Sequence, residues 1–72
     1  MSLEFLLVHF RDDEEQRPVL ADGESVGFTN HILMLPTGEY KISLSGGGYR
    51  PASRHIILAG TSVVKPKVII FR

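Results

Sequence analysis

Cysteine is absent from the 72-residue chain, so no disulfide can brace it. Its three histidines, His9, His31 and His55, stand singly, without the i, i+2 or i, i+4 partner or the cysteines of a structural metal site. No metal and no cofactor are therefore expected. Net charge is missing too, because eight basic residues balance eight acidic ones. A nucleic-acid partner calls for a basic surplus that neutralises phosphates, and an anionic bilayer calls for a basic face, so neither is expected. Long apolar runs are lacking: Phe5-Leu6-Leu7-Val8 and Val68-Ile69-Ile70-Phe71 fall far short of the ~20 residues that span a bilayer, which excludes membrane insertion by a helix. The N-terminus has no charged region leading into a long apolar stretch and a small-residue cleavage site, so a signal peptide is not expected in this chain. No segment repeats, and none has helical periodicity over a useful length.

What the chain does have is 43% apolar residues and a mean hydropathy of +0.08, the composition of a folded domain. Residues 1–72 are expected to form one domain, a piece of a longer protein. A domain of this size buries only ~60% of its unfolded surface, so a modest core or a partner subunit must hold it.

The strand pattern is clearest in the middle of the chain. Tyr40, Ile42 and Leu44 alternate with Lys41, Ser43 and Ser45, the period of a strand with one buried face. Pro36 presets φ and Gly38 tolerates φ > 0, so Pro36-Thr37-Gly38 predicts a hairpin between this strand and Asn30–Leu35. Gly46-Gly47-Gly48 ends the strand as a hinge. Before it, Leu3 to Phe10 is apolar on both faces apart from Glu4 and His9, which suits a central strand. Asp12 to Glu15 is a like-charge run that belongs in a solvated loop. Pro18 to Ala21 predicts a short strand opened by its proline, Asp22-Gly23 a tight turn, and Glu24 to Thr29 a weak strand containing Gly27. Ser53 to Ala59 and Val63 to Phe71 complete the set, with Lys65-Pro66-Lys67 marking an edge or a bulge. Six to seven short strands separated by turns predict an all-β fold, a small antiparallel β-sandwich of Ig-like or transthyretin-like type.

Reactive chemistry is hard to find. Asp12, Asp13, Glu14 and Glu15 lack the alternating ligand spacing of a calcium loop. Gly46-Gly47-Gly48 is followed neither by Lys-Ser/Thr nor by a helix, so it does not read as a phosphate cradle. Ser25, Ser43, Ser45, Ser53 and Ser62 lack a nucleophile-elbow context. No catalytic residue is assigned, and the expectation is that the protein is not an enzyme. Two features remain. Phe28, Tyr40 and Tyr49 supply aromatic area for a ligand platform, against the plainer reading as core and corner residues. Val68, Ile69, Ile70 and Phe71 put apolar side chains on both faces of a terminal strand, so one pair needs cover: either the strand is sandwiched centrally, or it pairs with another chain or a neighbouring domain.

From Val19 to Pro51 the turn signals follow a particular order: Asp22-Gly23, Gly27 with Thr29, Pro36 with Gly38, Tyr40-Lys41-Ile42-Ser43-Leu44, and Gly48-Tyr49-x-Pro51. This order resembles a PEGA domain. The sequence departs from the family pattern at Pro36-Thr37-Gly38-Glu39, where the naming Pro-Glu-Gly-Ala is altered, and at Asn30, where a proline often follows the threonine. The resemblance implies an extracytoplasmic or cell-surface β-sandwich that acts as a spacer or interaction module and carries no catalytic residues.

The expected function is a non-catalytic structural or protein-interaction module of a bacterial or archaeal surface or envelope protein. Its partners would be neighbouring domains, another protein, or a second copy joined through an edge strand. The rival is a carbohydrate- or peptide-binding module that uses Phe28, Tyr40 and Tyr49; solvent-facing, coplanar rings would favour it.

Overall fold

In the computed structural model, which describes residues 2–11 and 16–72, the chain is an all-β sandwich. Its strands are β1 (Leu3–Phe10), β2 (Pro18–Ala21), β3 (Glu24–Phe28), β4 (Ile32–Pro36), β5 (Gly38–Leu44), β6 (Arg54–Leu58) and β7 (Lys67–Phe71). One sheet has the order β4-β1-β7 and the other β3-β2-β5-β6. Neighbours are antiparallel except β1 and β7, which run parallel. The acidic run Asp12 to Glu15, with its calcium reading, lies outside the described residues.

Alternation decides what each sheet buries. From β1, Leu6, Val8 and Phe10 point inward and are fully buried, joined by Leu33 and Leu35 of β4 and by Ile69 and Phe71 of β7. The facing sheet contributes Val19 and Ala21 of β2, Ile42 and Leu44 of β5, and Ile56 and Leu58 of β6. The period-2 pattern of β5 is realised, with Lys41 exposed between Tyr40 and buried Ile42. β1 is central in its sheet, as a strand apolar on both faces should be.

One expectation is overturned. Pro36-Thr37-Gly38 does not close a hairpin, because β4 pairs with β1 whereas β5 pairs with β2 and β6. The segment is a corner that carries the chain from one sheet to the other. Proline marks a change of direction at a hairpin and at a corner alike, and the partner is chosen by distant strands that turn residues do not encode. Gly38 sits outside the left-handed region. Thr37 fixes the corner instead: its N–H donates to the Ser2 carbonyl at 2.9 Å and its Oγ1 to Glu4 Oε2 at 2.7 Å.

A tight two-residue hairpin joins β2 to β3. Asp22 (φ 52) and Gly23 (φ 86) are both left-handed, the pair of conformations that matches strand twist in a two-residue turn. Asp22 Oδ1 also accepts the Lys41 N–H at 2.9 Å, tying the tip to β5. Further along, the β2–β3 register slips by one residue at Val19/Leu20, a bulge that re-aims β3. Gly27 follows at φ 151, and a Cβ there would stand 2.3 Å from Leu33 Cδ2. The glycine therefore lets β3 close onto β4. Thr29, fully buried, exchanges bonds with Arg17 at 2.9 Å through its N–H and Oγ1. Asn30, at φ 64, donates its N–H to the Val8 carbonyl at 2.8 Å. Proline is locked near φ −65° and lacks that donor, so the departure from the family pattern at Asn30 has a local conformation to match it.

Candidate interaction surface

The outer face of the three-stranded sheet is dry. On β1 the outward positions are Leu3, Phe5, Leu7 and His9, the complement of the buried set. Register sets Met34 beside Phe5 and Ile32 beside Leu7 on one flank. On the other flank Val68 lies beside Leu7, and Ile70 beside His9. Leu3, Ile32, Met34, Val68 and Ile70 are between 44% and 60% exposed, and Phe5 and Leu7 are partly exposed at the centre. No Lys, Arg, Asp or Glu occupies an outward position on these three strands; His9 is the one titratable group among them. Together these side chains present roughly 500 Å² of apolar surface, near the upper end for the largest patch on a soluble monomer. The outer face of the other sheet is mixed, with Glu39, Lys41, Ser43 and His55 among its outward residues.

The terminal strand splits as alternation requires. Ile69 and Phe71 belong to the core, so of Val68, Ile69, Ile70 and Phe71 only Val68 and Ile70 are available to a partner. β7 lies at the sheet edge and starts directly after Pro66. Five apolar residues of this surface, Leu3, Phe5, Leu7, Ile32 and Met34, were not singled out from the sequence. The signal was present in the two-faced apolar pattern of β1, but which strands flank it was not.

The aromatics do not gather into a platform. Tyr49 meets Phe10 and Phe71 edge-on, with centroids 6.5 and 5.5 Å away. Its hydroxyl accepts the Leu44 N–H (3.2 Å) and holds the carbonyls of Leu44 (2.9 Å) and Ala52 (3.2 Å) within reach of its single proton. Tyr40 sits opposite buried Ile56 in the ladder, packs against the core and donates its hydroxyl to the Pro36 carbonyl at 2.7 Å. Phe28 is exposed beside Pro18, on the outward side from buried Val19. The three rings thus face different surroundings. The histidines also lie apart, with His9 and His55 on the outer faces of opposite sheets and His31 just before β4.

Two polar clusters lie at the ends of the sandwich. Glu4, inward-facing at the open end of the sandwich, accepts the Thr61 hydroxyl at 2.6 Å and N–H at 2.8 Å, besides Thr37. Hydrogen bonds from the Thr61 and Thr37 side chains, then the Thr61 backbone, hold its carboxyl below the ordinary 4.5 against the opposing effect of burial. Glu4 thereby ties β1 to the β4–β5 corner and to the segment between β6 and β7. At the opposite end, Arg11 and Arg17 lie 4.7 and 4.8 Å from the Phe10 ring centroid and donate to the carbonyls of Gly48 and Gly47. They clamp the glycine segment, in which Gly46 and Gly48 both stand at φ 80. An open depression of about 520 Å³ nearby is lined by His9, Arg11, Ile70, Phe71 and Arg72. Among the described residues no group of three or more His, Asp or Glu could hold a metal ion.

A seven-stranded sandwich with a glycine-dependent sheet crossing and a tyrosine-braced glycine segment defines a small β-sandwich module of the kind implied by its turn order. The family model of the PEGA domain matches residues 13–69. The chain belongs to the PEGA domain family. No curated protein matches it, and no solved structure does.

Proposed function

We propose that the chain is a non-catalytic structural and protein-interaction module of a surface or envelope protein. The observation that carries this reading is the dry outer face of the β4-β1-β7 sheet, which offers contact area and almost no polar group. The largest apolar patch on a soluble monomer, at about 300–600 Å², is often functional, which supports this face as the surface in use. The family supports the surface setting. The polar groups brought together have structural partners: Glu4 is saturated by threonines, and Tyr49 is bonded to backbone.

The absence of cysteine makes the test direct. Met34→Cys, on the dry face, and Ile57→Cys, on the opposite sheet and 69% exposed, each introduce one thiol into this domain. A membrane-impermeant maleimide applied to intact cells should label the thiol at position 57, and label the one at position 34 much more slowly. Labelling at 57 only after lysis would refute the surface setting. Equal rates at both positions would refute a covered interaction face.

A further inference from the structure

Resting on that reading, we infer that the cover is a second copy of this chain, packed sheet to sheet through the outer face of β4-β1-β7. The first support is charge. In a two-fold self-contact residue i meets residue j and j meets i, and residues near the axis meet their own copies, so a charge at the middle of the face would oppose it. Within the three strands this face has only His9, beside Ile70 at one end of the sheet, and Arg11 and Arg72 line the depression at that same end. With the two-fold axis at the middle of the sheet and running across the strands, that end lies far from its own copy, and the two copies meet over uncharged side chains.

Area is the second support. Two faces of roughly 500 Å² of apolar surface each, with their polar rim, reach ~1,200 Å² in total, the lower end for specific association. The third is shape. A twisted sheet is complementary to another of the same hand, and aligned packing brings two such sheets about 10 Å apart with side chains interdigitated. Leu7, the middle of the middle strand, has Ile32 on one side and Val68 on the other. It would lie at the centre against its own copy. The result is a four-layer stack with the mixed faces outward and the dry faces inside. This places the contact on the sheet face rather than on the β7 edge.

Sedimentation velocity of the purified domain over a concentration series should show a reversible monomer–dimer equilibrium with a Kd below about 1 mM. Met34→Lys and Val68→Lys place an ammonium inside the apolar contact and should each weaken the dimer at least ~100-fold. Both positions are exposed in one copy, so each variant should keep the wild-type circular dichroism and melting profile at low concentration. Ile57→Lys should leave the dimer unchanged. Amide shifts that move with concentration should map to β1, β4 and β7. A strict monomer at about 1 mM would overturn the inference; slow labelling at position 34 in cells would then leave the interaction module standing with a different partner. A dimer indifferent to both lysines, or shifts confined to one strand edge, would overturn it equally.

Discussion

Gly27 offers the sharpest test of how the two sheets are joined. A Cβ at this position would lie 2.3 Å from Leu33 Cδ2, more than an ångström inside ordinary contact, and the backbone stands at φ 151. Leu33 is 5% exposed and belongs to the buried core, so its methyl must shift within the core for a Cβ to enter. Gly27→Ala therefore carries two costs. Overpacking contributes about 1–3 kcal/mol, and an L residue in a glycine-only backbone region about 1–3 kcal/mol more. A combined loss of about 3 kcal/mol is a large share of the ~4–10 kcal/mol expected of a domain this small, and it lowers the melting temperature by roughly 12–24 °C. Urea denaturation followed by circular dichroism measures the loss. Adding Leu33→Ala separates the two terms: with the methyl gone, the new Cβ at position 27 fills part of the vacated space, so the double variant should be more stable than the sum of the singles by about 1 kcal/mol or more. A Gly27→Ala protein within about 0.5 kcal/mol of wild type would refute the close approach, and strict additivity would refute the steric part.

Other outcomes follow from the same geometry. Gly38 has no positive φ, and a Cβ there meets only the Tyr40 side chain at an ordinary 3.8 Å, so Gly38→Ala should raise stability by about 0.4–1 kcal/mol; a loss well above about 1 kcal/mol would restore the left-handed turn. Tyr49→Phe keeps the ring between Phe10 and Phe71 but removes three hydroxyl contacts, and chemical denaturation should show a loss of about 1–2 kcal/mol. Because the folded protein holds the Glu4 carboxyl below 4.5, the unfolded chain takes up its proton first as pH falls. The Glu4 contribution is thus full above the unfolded value and lost as pH drops through the lower folded one. Urea midpoints from about pH 6 to about pH 3 should fall for wild type and fall less for Glu4→Gln; parallel curves would sink the assignment.

Much of the fold was readable in advance because alternation is a local property. Tyr40 to Leu44 and Leu3 to Phe10 announce strands whichever neighbours they find, and Asp22-Gly23 specifies its turn within two residues. The order of turns from Asp22 to Pro51 was enough to indicate the family that the match over residues 13–69 establishes. Pairing was a different matter. Pro36-Thr37-Gly38 looks the same at a hairpin and at a corner, and only the β1–β4 and β2–β5 registers distinguish them. Glu4 shows the same limit: in the sequence it is a polar interruption, and its role depends on Thr37 and Thr61, 33 and 57 residues away. The interaction surface is the plainest case. Residue order alone puts apolar side chains on both faces of β1 and of the last strand. That β4 and β7 flank β1 emerges only when the chain is folded, and it turns scattered outward residues on three distant segments into one continuous dry face, because sheet neighbours are chosen by long-range packing and not by local pattern.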